Sequence, residues 1–136
     1  MKISVLLPYK ENFSSVNAGA VSLFVKDTIQ NSKFSKNSFV FGNMTNKKPF
    51  LNNYVNIELR KSFLKSQTRD YVNKFVELHK NQNTDIIEIH NRPNYIEFLN
   101  SLNTKKVLYF HNDPISMIGS KTVSYTHLTL PTIVSV

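Results

Sequence analysis

Apolar positions recur along this chain with two periods, and their alternation predicts its architecture. Lys2 to Pro8 is a nearly continuous apolar run, the pattern of a strand covered on both faces. After a polar loop from Tyr9 to Val16, the residues Val21, Phe24, Val25 and Ile29 fall at helical spacing, with Asn17 as the candidate cap. Ser38 to Gly42 predicts a second short strand. Residues 43–53, rich in Asn and interrupted by Pro49, predict a loop, and Tyr54 to Leu59 alternates as a sheet-edge strand would. From Ser66 the helical period returns, with Val72, Phe75, Val76 and His79 on one face. Two further apolar runs, Asp85 to His90 and Lys105 to His111, carry strands at Asp85 to Ile89 and Val107 to Phe110 and flank a short helix from Pro93 to Leu102. Its apolar face is Tyr95 or Ile96, Leu99 and Leu102, and its proline lies in the first turn, where a missing N–H costs nothing. Strands alternating with helices in this way predict an α/β domain built on a doubly wound, mostly parallel sheet.

Parallel strands bring their carboxyl ends to one edge, where open α/β sheets bind ligands. Both later runs end in histidine followed by asparagine: His90-Asn91-Arg92-Pro93 and His111-Asn112-Asp113-Pro114. The expected chemistry therefore sits at His90, Asn91, Arg92, His111, Asn112 and Asp113. Arg92 is a fixed cation able to hold a phosphate or carboxylate at two points, and a histidine can donate or accept near neutral pH. The competing readings are an exposed loop with a capping Asn, and a zinc site using His90, His111 and Asp113. Zinc needs three converging ligands, which these spacings do not fix. His79, at the edge of its helical face, reads as a packed histidine. The turn Ala18-Gly19 ahead of the first helix could present backbone N–H groups to an anion or could simply allow close packing. Neither G-x-G-x-x-G nor G-x-x-x-x-G-K-[ST] is present, so the dinucleotide and P-loop fingerprints are unmet, and no G-x-S-x-G elbow supports a serine triad.

Composition changes this picture little. The 136 residues, 40% of them apolar, suffice for one domain with a real core. The lack of cysteine excludes disulfide scaffolds and thiolate metal sites and fits a reducing compartment. No apolar run approaches the roughly 20 residues that span a bilayer, so the reading is cytoplasmic. The net charge of +8 comes from lysines spread singly or in pairs. A solvated basic surface and a phosphate-rich or anionic-membrane partner explain it equally well. The abundance of Lys, Asn, Ile and Phe also fits the codon bias of an AT-rich genome.

A resemblance adds to this. The run Lys2 to Pro8, the turn Ala18-Gly19-Ala20, the segment from Asp85 to Pro93 and that from Val107 to Pro114 together resemble the N-terminal domain of family 4 glycosyltransferases of the GT-B fold. The likeness extends up to Lys121. It implies the first of two Rossmann-like domains facing a cleft, a nucleotide-sugar donor as substrate, transfer with retention of anomeric configuration, and no metal or other cofactor. It further implies that the turn at Ala18 and Gly19 lies near the donor phosphates and the acceptor, and that His111 lies near the acceptor and the transferred sugar. Such turns commonly carry two glycines, and here the first position is Ala18. The implied partners are a nucleotide-sugar donor, a glycan or lipid-linked acceptor and a peripheral inner-membrane surface, with no nucleic acid. Most donor contacts of that family lie in its second domain, so these residues alone would be catalytically dead. A stand-alone flavodoxin-like or receiver-like ligand-binding module, not an enzyme, is the alternative. Pro8 and His90 stand where a receiver would carry acidic residues. A basic RNA-binding fragment is a third reading, which lysines gathered on one face would favour.

From Val123 onward the chain changes character: residues 123–132 carry no charged side chain. The string also resembles the translation of a transposon-type sequencing adapter. The expected organisation is thus a glycosyltransferase-like domain at 1–122 followed by a foreign tail at 123–136, with His127 excluded from any site.

Overall fold

The computed structural model describes residues 1–60 and 66–113 and the backbone of 132–135. Its sheet contains β1 (Ile3–Leu6), β2 (Ser38–Gly42), β3 (Tyr54–Asn56), β4 (Ile86–His90), β5 (Lys105–Phe110) and β6 (Thr132–Ser135). Two α-helices, α1 (Ala20–Gln30) and α2 (Gln67–His79), and two short 3-10 helices, Ser35–Asn37 and Pro93–Leu99, complete the elements among the described residues. The strand order is β3-β2-β1-β4-β5-β6. The first five are parallel, and β6 pairs antiparallel with β5. This is the expected α/β fold with a doubly wound, Rossmann-like sheet. The order 3-2-1-4-5 is the dinucleotide-binding type, and the flavodoxin and receiver type, 2-1-3-4-5, is not the one formed.

Side-chain alternation sorts the core into two layers. Leu6 of β1, Phe41 of β2, Ile87 and Ile89 of β4, and Leu108 and Phe110 of β5 pack against Tyr71, Val72, Phe75 and Val76 of α2 and against Tyr95, Leu99 and Leu102. On the other face Ile3, Val5, Leu7 and Val40 meet Val21, Val25 and Ile29 of α1, with Phe13 and Met44. All four residues of β1 are buried, which explains why its sequence is a run and not an alternation. Each fully buried aliphatic or aromatic side chain contributes about 1.5–3 kcal/mol.

Three expectations are corrected in detail. Asn17 does not cap α1; it adopts a left-handed backbone (φ 54°) two residues before the cap position, Gly19. The alternating run after Tyr54 forms a strand only to Asn56, because Asn56 Oδ1 turns to accept from Met44 N–H and Tyr54 Oη–H. The segment after Pro93 is a 3-10 helix ending at Leu99, although Tyr95, Leu99 and Leu102 form the apolar face as expected. His79 is buried. Its Nδ1 lies 2.8 Å from Phe75 O, which can only accept, so Nδ1 carries the proton, and Nε2 accepts from Ser4 Oγ–H at 2.9 Å. The strand Thr132–Ser135 falls inside the tail expected to be foreign, and the β-forming residues Val123, Tyr125 and Leu128, like His127, lie outside the described residues.

Candidate functional site

The order in which the chain adds strands to the sheet reverses at β1. The strands β2 and β3 lie to one side and β4 and β5 to the other, so the switch point falls between β1 and β4. At that carboxyl edge the two His-Asn pairs come together. β4 and β5 pair in register, with His90 opposite Tyr109, so His111 lies just beyond the end of β5. Nδ1 of His90 is 2.9 Å from Nε2 of His111. Asn91 locks the junction. It takes a left-handed backbone (φ 56°), its N–H donates to Tyr109 O at 2.8 Å, and its Oδ1 accepts from His111 N–H at 2.7 Å. Asparagine is among the few side chains that tolerate this conformation and can also bond locally.

Aromatic rings fix the pair. Tyr109 stacks on His90 at 4.7 Å between centroids, and Phe24 of α1 meets His111 edge-on at 4.8 Å. His90 is only 1% exposed. Burial, and next the neighbouring His90, lower the pKa of His111 to about 4, so its ring is neutral at pH 7. The other nitrogen of His90, Nε2, is buried and has no hydrogen-bond partner among the described residues. Glu88 Oε2 is 3.5 Å from it, close enough to attract a proton there though not aligned as a hydrogen bond. Sequence reading missed Glu88, Phe24 and Tyr109. Glu88 left a signal, as the one acidic residue in an apolar strand, two positions before His90 and therefore on the same face.

The remaining candidates lie around this pair. Arg92 turns its guanidinium to its neighbour, donating from Nη1 to Asn91 O at 2.7 Å. Asn112 and Asp113 are exposed. Ala18 and Gly19 precede α1, whose Phe24 reaches both histidines, so the turn and the histidine pair belong to the same side of the sheet. An anion already sits at this helix start: Glu11 Oε1 accepts from Ser22 N–H at 3.2 Å and from Ser22 Oγ–H at 3.0 Å. This explains Gly19, since a Cβ there would overlap Glu11 Oε1 where the carboxylate now sits. Substituting Gly19→Ala is therefore expected to expel the carboxylate and cost about 1–2 kcal/mol, the worth of a charged cap. In a Glu11→Ala background the same change should cost under about 0.5 kcal/mol, because no occupant is displaced. Equal costs in both backgrounds, read by urea unfolding, would refute this account of Gly19.

Among the described residues no group of three His, Asp or Glu side chains is arranged to hold a metal ion. Surface hollows of about 690 and 550 Å³ lie elsewhere, beside Asp70 and Lys74 of α2 and beside Asn43 and Tyr54. The histidine pair thus stands at the carboxyl edge of the sheet and lines neither hollow. No described helix is long and apolar enough to cross a membrane.

Burial also makes the fold acid-sensitive. The pKa of His79 is lowered, first by desolvation, with a bond to Phe75 O opposing and Lys2 adding, and that of His111 is lowered to about 4. Both titrate near 6.5 when unfolded. The unfolded chain therefore binds more protons below that pH, and stability that is complete above about 6.5 is lost as pH falls toward 4. Melting temperature should drop between pH 6.5 and 5, above most carboxylate titration, and His111→Gln should flatten the slope. An unchanged slope would show that His111 does not contribute.

Comparison with known proteins adds nothing to this geometry: no protein-family model, curated protein or solved structure matches the chain.

Proposed function

We propose that residues 1–122 form the acceptor-side half of a retaining glycosyltransferase of the GT-B type, resembling family 4. It would move a sugar from a nucleotide-sugar donor to a cell-envelope or polysaccharide acceptor, glycan or lipid-linked, at the cytoplasmic face of a membrane. The observation that carries the reading is the imidazole pair His90–His111 at the carboxyl edge of adjacent parallel strands, beside the switch point. Such an edge is where a Rossmann-like domain faces its ligand.

In this reading His111 contacts the acceptor hydroxyl or the transferred sugar as a neutral ring, able to accept or donate one hydrogen bond at pH 7. Arg92, Asn91, Asn112 and Asp113 line the rim, offering a fixed cation, amide groups and a carboxylate to sugar hydroxyls or phosphate. The backbone ahead of α1, at Ala18 and Gly19, approaches the departing diphosphate, where N–H groups stabilise developing negative charge. Glu11 occupies one of the N–H groups of that helix start, so the diphosphate and the Glu11 carboxylate compete for it. Donor binding would fall mainly to a second domain, and residues 1–122 alone would not turn over.

The test is to follow the gene to its natural stop and assay the whole product for sugar transfer from nucleotide-sugar donors. The expected result is a second Rossmann-like domain with an acidic, glutamate-bearing donor motif, and transfer with retention. A continuation lacking that motif would sink the reading.

A further inference from the structure

The buried nitrogen of His90 is unexplained by packing alone. A polar atom shut away from water without a hydrogen bond is uncommon and calls for a cause. Here the cause stands beside it: Glu88 Oε2 lies 3.5 Å from Nε2, on the same face of β4, with the Glu88 side chain 18% exposed. A lone pair on Nε2 would lie close to a carboxylate and be repelled, whereas an N–H there is attracted. The proton therefore belongs on Nε2. In a neutral His90 this leaves Nδ1 as an acceptor, and the 2.9 Å contact with His111 Nε2 then requires His111 to donate. His111 is left with its proton on Nε2 and a lone pair on Nδ1. The other groups on this face are consistent with that order. Phe24 and Asn91 carry no charge, and Tyr109 has its phenol pKa raised, by burial first and by Glu88 second, so it stays protonated.

We propose that Glu88 is a positioning residue: acting through His90, it fixes the tautomer of His111 so that His111 Nδ1 offers a lone pair to a substrate hydroxyl. No proton transfer is required, only a choice between two neutral tautomers made by a carboxylate two imidazole rings away. The substrate half of the statement rests on the glycosyltransferase reading; the tautomer half concerns this chain alone.

The two halves are separable by experiment. In the full 136-residue chain labelled with 15N-histidine, long-range proton–nitrogen spectra should place the proton on Nε2 in both His90 and His111. In the isosteric Glu88→Gln variant, whose amide can present either its oxygen or its NH2 to Nε2, His111 should become a mixture of tautomers while the backbone spectrum stays folded. A proton on Nδ1 of His111 in the unsubstituted chain overturns the proposal without any variant, as does a His111 pattern unchanged in Glu88→Gln. In the intact parent enzyme Glu88→Gln should lower kcat about 10- to 100-fold, as loss of an orienting partner does, with KM little changed. If the spectra agree and kcat does not move, the tautomer is fixed as described but serves no hydroxyl, and the functional half is overturned. If the parent transfers no sugar at all, the glycosyltransferase reading falls and the tautomer assignment stands.

Discussion

Truncating Tyr71 to alanine is expected to cost the domain about 3–5 kcal/mol, a large share of its stability. Its ring is fully buried between Tyr9, at 5.4 Å, and Tyr95, at 6.1 Å. Its hydroxyl donates to Leu7 O at 2.7 Å, just past the end of β1, and lies 3.4 Å from Phe41 O of β2. Removing a buried aromatic ring costs about 3–5 kcal/mol, against a total stability of about 5–15 kcal/mol for a domain. Tyr71→Phe separates the two contributions, since it keeps the ring and strands the Leu7 carbonyl; it should cost about 1–3 kcal/mol. The effect reaches the site, because Tyr71 ties α2 to the carboxyl end of the central strand, and Tyr95 Oη accepts from Tyr9 N–H two residues later. Urea unfolding followed by circular dichroism measures both. A Tyr71→Phe variant within about 0.5 kcal/mol of the parent would show that the phenol is not a tie between helix and strand.

Much of this arrangement is visible in the residue order. Continuous apolar runs marked the strands covered on both faces, and the i, i+3, i+4 pattern marked α1 and α2, because burial imposes those periods directly. The convergence of His90 and His111 followed from parallel pairing and equal strand endings. What stayed hidden depended on contacts between distant parts of the chain. Nothing local says that Glu11 reaches Ser22 N–H, so Asn17 was the natural choice of cap and Gly19 looked like a phosphate turn. The imidazole–imidazole contact, the aromatic clamp from Phe24 and the approach of Glu88 depend on register and on which face α1 covers, neither of which periodicity determines. The shortening of the Tyr54 strand has a similar origin, since Asn56 Oδ1 accepts from Met44 N–H on the loop after β2.

If the proposed glycosyltransferase reading holds, His111→Ala in the intact parent protein is expected to reduce kcat/KM for sugar transfer about 100-fold or more, the scale on which misplacing a substrate group acts. The ring is held by His90 at 2.9 Å and by Phe24 edge-on at 4.8 Å, and the backbone beneath it is fixed by the His111 N–H donating to Asn91 Oδ1 at 2.7 Å. A group so constrained is preorganised, and alanine loses both its polar atoms and the wedge between helix and strand. Gln offers a sharper probe, because its amide can still donate to His90 Nδ1 while lacking an atom at the Nδ1 position. His111→Gln should therefore stay folded and remain impaired in kcat. His79→Gln supplies the contrast. That histidine is buried against Phe75 and Ser4 on the opposite face, so its loss should lower the melting temperature and leave kcat alone. Because His111 has its pKa lowered to about 4, the parent's kcat should be flat from pH 6 to 8, where an ordinary histidine would titrate. Transfer by His111→Ala within about threefold of the parent, or an acid limb centred near 6.5 that vanishes in that variant, would remove His111 from the reaction as a neutral ring.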